Sequence, residues 1–149
     1  MTQKQHDELN SFFVDIFNKI LLQEEQAVAK KGFSNLSTKE LHILEAVKLG
    51  QTCEKNTMTD LAGKVGTTVG ALTTAVSALV RKEYLVRERP ENDRRIVRVH
   101  LTPQGEMAEK HHRIYHEKMI ESVAQTLNEE SLDNLIDTLQ KLQVFFSNK

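Results

Sequence analysis

Between Thr67 and Arg81 the chain carries a face fit to lie close against another large molecule. Thr67, Thr68, Gly70, Ala71, Thr73 and Thr74 are short, bare or hydroxylated, where a solvated helix face would be filled with Lys, Glu and Gln. Small side chains let a backbone approach a surface closely, which suits a helix lying in a DNA major groove. Arg81, at the end of the same stretch, is placed to meet a phosphate. Further on, Arg89, Asn92, Asp93, Arg94 and Arg95 crowd into one turn-rich segment. An arginine on such a tip, Arg94 or Arg95, has the reach to enter a minor groove, where the negative potential is deepest.

A second set of residues could do different chemistry. His112 and His116, spaced i,i+4, share a helix face in line with Met119, Val123 and Leu127, so they are expected to point inward. Glu24 falls on an apolar stripe beside Ile20 and Ala27. Glu24, His42, His112 and His116 could supply the nitrogen and oxygen ligands of a tetrahedral zinc site, or form a charge-assisted polar network that fixes the helices carrying them. Enzymatic constellations are poorly represented. There is no Gly-rich phosphate loop and no nucleophile elbow, and Cys53 sits in a polar stretch without the charged partners of a nucleophile.

The elements that must position these groups follow from periodicity and caps. Val69, Leu72, Val76, Leu79 and Val80 share one arc of a helical wheel and form a stripe expected to be buried. Residues 84–89 and 96–101 read as strands of a hairpin whose tip is the arginine-rich loop, a wing. Upstream, Ser37-Thr38-Lys39-Glu40 is a capping box opening a helix through Leu49, which Gly50 is expected to stop. A polar loop, 51–56, leads to Thr57 as N-cap of a helix from Met58 to Val65, and Gly66 makes the turn of a helix-turn-helix. At the start, Leu9, Phe12, Phe13, Ile16, Phe17, Ile20 and Leu21 mark a long helix to about Ala29. Thr102 and Pro103 form an N-cap and N1 pair for a helix to about Thr126, and Asn128 starts the last helix. In that helix Leu132, Leu135, Ile136, Leu139, Leu142 and Phe146 expose more apolar surface than one small lobe covers.

The fold class is therefore mainly α with a small β-hairpin wing: a winged helix-turn-helix plus a helical dimerisation region. The expected division is a dimerisation helix at 1–34, the DNA-binding lobe at 35–102, and dimerisation helices at 103–149. With 149 residues, 39% hydrophobic and 28% charged, the chain is long enough for a packed core. No apolar run reaches the ~20 residues of a membrane span, and the N-terminus lacks a signal peptide's apolar core. These features, with a single cysteine, point to the cytoplasm. The net charge of −1 hides a segregation: from Arg81 to Arg98 seven basic residues stand against four acidic ones, so the rest of the chain is acidic.

Val65-Gly66-Thr67 opening a helix, Arg81-Lys82-Glu83-Tyr84-Leu85 closing it, and Asp93-Arg94-Arg95 followed by Leu101-Thr102 resemble the winged helix-turn-helix of the MarR family. The resemblance covers nearly the whole chain. It implies a homodimeric repressor that binds a pseudo-palindromic double-stranded operator, one recognition helix per half-site. Glu40-Leu41-His42, Val69 to Thr73 and His112-x3-His116 also look like the fatty-acid-synthesis repressors of Gram-positive bacteria, whose corepressor is a long-chain acyl group on its carrier protein. Glu24, His42, His112 and His116 resemble in position the ligands of zinc-responsive MarR repressors, although no cysteine follows Glu24 closely as their second ligand set requires. Nor does the first helix hold the cysteine of the peroxide-sensing members.

Overall fold

The structure, a computed structural model, describes residues 1–147; Asn148 and Lys149, the end of the expected C-terminal dimerisation segment, lie outside the described residues. The order is α1 (Gln3–Ala29), α2 (Thr38–Thr52), α3 (Met58–Val65), α4 (Val69–Arg81), β1 (Leu85–Glu88), β2 (Arg98–Leu101), α5 (Pro103–Gln125) and α6 (Glu129–Ser147). The described residues form two compact units, one from Met1 to Tyr115 and the other from His116 onward. Among the described residues no helix is long and apolar enough to cross a membrane.

Most boundaries are set by local hydrogen bonds. Ser37 and Glu40 close the capping box of α2, Thr57 and Asp60 that of α3, and Thr2 and Gln5 that of α1. Thr102 receives the Gly105 N–H at the start of α5, and Asn128 receives the Ser131 N–H at the start of α6. Each such cap satisfies donors that a helix start leaves orphaned. Gly66 ends α3 in the left-handed region, φ +74°, where a side chain would be strained.

Gly50 does not stop α2. The helix runs on to Thr52 because Gln51 finds tertiary partners, accepting from Leu101 N–H and donating to Glu106. Gly50 is instead a close-approach residue, since a Cβ there would fall 2.5 Å from the Lys55 carbonyl oxygen. The hairpin is also shorter than its hydrophobic pattern predicts. β1 and β2 pair antiparallel from Leu85 with Leu101 to Glu88 with Arg98. Beyond that register the Ile96 N–H turns back to the Asp93 carbonyl, which removes Ile96 and Val97 from the ladder.

The core of the first unit gathers Leu41, Leu44 and Val47 of α2, Leu61 of α3, Leu72, Val76 and Leu79 of α4, Tyr84, Leu85, Val99, and Ala108 of α5. The expected α4 stripe is correct at Leu72, Val76 and Leu79, but Val69 is 45% exposed: it stands in the first turn, ahead of the core. In the second unit, Val123 is exposed rather than inward-facing, and α6 contains no buried residue.

Candidate nucleic-acid interface

Thr68 caps α4 by accepting the Ala71 N–H, 3.1 Å, which fixes where the helix begins and which residues lead it. Thr67, Thr68, Gly70, Ala71, Thr73 and Thr74 are all exposed, and so is Arg81. A Cβ built at Gly70 meets nothing within 4 Å, so that position is open to solvent rather than pressed against the protein. Thr73 donates its hydroxyl to the Val69 carbonyl (2.7 Å), Thr74 to Gly70 (3.4 Å) and Ser77 to Thr73 (2.8 Å). With their hydrogens folded back onto the helix, these hydroxyls offer mainly lone pairs outward.

At the wing tip, Asp93 grips Arg95 through the backbone N–H (3.1 Å), Nε (3.1 Å) and Nη2 (3.4 Å). The Arg95 guanidinium and backbone N–H hold the Asp93 carboxyl below its ordinary range. Arg89 donates to the Arg94 carbonyl, 3.4 Å, bracing the other side of the turn. Arg89, Asn92, Arg94 and Arg95 are exposed and Asp93 is half-buried. The fixed turn therefore presents its cations to solvent instead of spending them on the core.

Three of the four residues considered for a metal come together. Glu24 of α1 is buried, with its carboxylate oxygens 3.4 Å from Nε2 of His42 and 3.4 Å from Nε2 of His112. One ligand atom from each residue falls within 4.8 Å of the other two. α1, α2 and α5 thus meet at one polar point inside the first unit. His116 is half-buried and belongs to the second unit.

Two contacts were not legible in spacing. Arg87 of β1 lies along α4, its Nη2 donating to Ser77 Oγ at 2.7 Å and to the Thr73 carbonyl at 3.3 Å. Arg98 of β2 donates to Asn56 Oδ1 (2.9 Å) and to the Glu54 carbonyl (3.0 Å), while the Asn56 amide donates to the Val99 carbonyl (2.8 Å). These contacts tie the wing to α4 and to the loop before α3, so the two candidate surfaces form one lobe.

Comparison with known proteins agrees with this architecture. Residues 36–97 match the MarR family. A Bacillus subtilis (strain 168) protein, the uncharacterized HTH-type transcriptional regulator YpoP, is 37% identical over 54 residues, which are 36% of this chain and 38% of that protein. Streptococcus pneumoniae FabT, in a crystal structure with DNA, superposes with a TM-score of 0.85 at 29% identity, covering 96% of this chain and 98% of that one. The Staphylococcus aureus MepR–DNA complex shares the fold, with a TM-score of 0.76 at 18% identity, covering 92% and 95%. Residues 36–97 are thus a MarR family domain, and the whole chain shares the fold of the FabT chain seen with DNA.

Proposed function

We propose that the chain is a cytoplasmic homodimeric repressor that reads a pseudo-palindromic operator and controls fatty-acid synthesis genes, with a long-chain acyl carrier protein as its ligand. The observation that carries the DNA-binding part is the joining, in one lobe, of the exposed small face of α4 to a fixed arginine tip. In this reading Thr67, Thr68, Gly70, Ala71, Thr73 and Thr74 enter the major groove and Arg81 meets a phosphate. Arg94 or Arg95 reaches the minor groove, and Arg89, Asn92 and Asp93 shape the tip. Two-fold symmetry sets the half-sites about one helical turn apart, ~10 base pairs.

Dimerisation is supported by apolar side chains that each unit leaves uncovered. On α1, Phe12 and Phe17 are 54% and 58% exposed; on α6, Leu139 and Phe146 are 54% and 64% exposed. Apolar faces of this size mark surfaces for a partner. The acyl reading rests on the resemblance of Glu40-Leu41-His42 and His112-x3-His116 to the fatty-acid-synthesis repressors.

A specific observation favours a second reading, a zinc-responsive repressor of metal-uptake genes. The 3.4 Å separations around Glu24 are long for charge-assisted hydrogen bonds, which run about 2.7–2.9 Å. One ligand atom each from Glu24, His42 and His112 lies within 4.8 Å of the other two, near enough for all three to converge on one ion. The donor set fits the ion, with Glu24, His42 and His112 as its holders and His116 the fourth residue named by the resemblance.

Operator affinity measured with chelator alone, with zinc, and with long-chain acyl carrier protein plus chelator separates the readings. We expect the acyl ligand to tighten binding in the presence of chelator. Enhancement by zinc alone, lost in His112→Ala, would replace the acyl reading with the metal one. Failure to select any preferred DNA sequence would reject both.

A further inference from the structure

We infer that Arg87 is the base-reading residue of this interface: a guanidinium supplied by strand β1, docked on the recognition helix by Ser77, and aimed at a guanine in each half-site. The inference rests on the reading that α4 enters the major groove, and it supplies what α4 itself lacks. From Thr67 to Val80 the sequence contains no Arg, Lys, Asn or Gln. Those are the side chains that make two-pronged hydrogen bonds to base edges, Arg and Lys to guanine, Asn and Gln to adenine. The Thr73, Thr74 and Ser77 hydroxyls are no substitute, since their hydrogens are directed to the helix carbonyls of Val69, Gly70 and Thr73.

Arg87 fills that gap by geometry. Its Nη2 is 2.7 Å from Ser77 Oγ and 3.3 Å from the Thr73 carbonyl, so the guanidinium lies along the exposed side of α4. Both bonds converge on Nη2 from acceptors only 2.8 Å apart, so one Nη2 hydrogen serves both and the other, beside Nη1–H or Nε–H, is left for a two-pronged contact. The other arginines are placed differently. Arg81 ends α4, and Arg95 is held by Asp93 at the wing tip. A guanidinium already ordered on the helix loses less freedom on binding than a free one. Guanine is the base it matches, because O6 and N7 give the major groove two adjacent acceptors.

The test starts from sites selected by the wild-type protein out of random double-stranded DNA. Affinity is then measured for every single base-pair replacement, for wild type, Arg87→Ala, Arg87→Lys and Ala71→Glu. Wild type should show one G·C pair per half-site whose replacement weakens binding roughly tenfold or more. Arg87→Ala should bind the selected site about tenfold more weakly and accept all four pairs at that position with similar affinity. Arg87→Lys should recover little, because a point charge cannot hold Ser77 and both guanine acceptors together. Arg87 also ties β1 to α4, so each variant is melted beside wild type, and the assignment rests on base preference, because a loosened wing would weaken binding evenly on all sequences. An unchanged base preference in Arg87→Ala overturns the inference. So does a uniform loss on all sequences with a salt slope shallower by about one, the signature of a phosphate contact. Ala71→Glu distinguishes the two levels: if it binds DNA like wild type, the major-groove reading itself fails, whereas if it abolishes binding while Arg87→Ala is harmless, only Arg87 is misassigned.

Discussion

Helices α4 and α6 are both amphipathic, yet they finish their surfaces in opposite ways. α4 sinks Leu72, Val76 and Leu79 into the core and leaves glycine, alanine and threonine outside. α6 has no fully buried residue: Leu132, Leu135 and Leu142 are half-buried, and Ile136, Leu139, Val144, Phe145 and Phe146 are exposed. A helix whose apolar side is already covered has an outer face free for recognition; a helix whose apolar side is bare has its folding energy still outstanding. The difference teaches that hydrophobic periodicity alone does not say whether a stripe is closed by its own chain.

The largest effect should come from removing the helix that is unfinished. Deleting residues 129–149 should convert a dimer to a monomer and abolish two-half-site binding, read by light scattering and by operator affinity. A truncated protein that remains a dimer would break the contrast with α4. Next, Leu72→Ala on the finished helix should destabilise the protein by about 2–5 kcal/mol in denaturant titrations, through a cavity in a closed core. Leu139→Ala should leave the stability of the dissociated chain nearly unchanged and weaken the dimer instead.

A smaller effect is expected at the recognition end. Arg95→Ala should weaken specific binding by about 1–3 kcal/mol with a shallower salt slope and little change in melting, since the side chain is exposed. Wild-type affinity in both Arg95→Ala and Arg94→Ala would remove the wing from the interface.

The smallest effect sharpens the contrast through two glutamates of the first unit. Burial pushes the Glu40 carboxyl up, but the Lys82 ammonium and the Ser37 N–H outweigh it, so Glu40 titrates below its ordinary 4.5. Its stabilising contribution is present above 4.5 and is lost as pH falls through the lowered folded value. Glu109 is the reverse. Burial raises its carboxyl, only partly offset by Arg113 and Lys48, so its stabilising contribution is present below 4.5 and lost as pH rises through the raised value. Glu40→Gln should therefore lower stability near neutral pH by on the order of 1 kcal/mol, an effect that fades in acid. Glu109→Gln should be neutral or stabilising near neutral pH. Melting both variants from pH 3 to 8 checks the signs.

What the sequence discloses tracks the range of the interaction. Ser37, Thr57, Thr102 and Asn128 announce their helices because each cap acts over three residues. The left-handed turn at Gly66 is equally local. The role of Gly50 was hidden because its constraint is the carbonyl of Lys55 folded back over it, and helix α2 continues past it on contacts from Leu101 and Glu106. Val69 fits the wheel but not the core, because the stripe begins one turn before its cover does. The meeting of Glu24 with His112 spans 88 positions, and the docking of Arg87 on Ser77 joins a strand to a helix. Glu24 and His112 group together in the sequence through the shared chemistry of their side chains and the family resemblance, whereas the adjacency of Arg87 and Ser77 needed the fold.

Gly105 lets α5 begin flush against the root of the wing. A Cβ there would stand 2.1 Å from the Tyr84 carbonyl oxygen, which also receives the Thr102 N–H, while Thr102 Oγ1 donates to the Glu83 carbonyl. The base of the wing and the first turn of α5 are thus clamped on the same two peptide groups. Any residue larger than glycine at 105 would push the first turn of α5 away from these carbonyls, so one added methyl would loosen the helix start and the root of the arginine-bearing hairpin together.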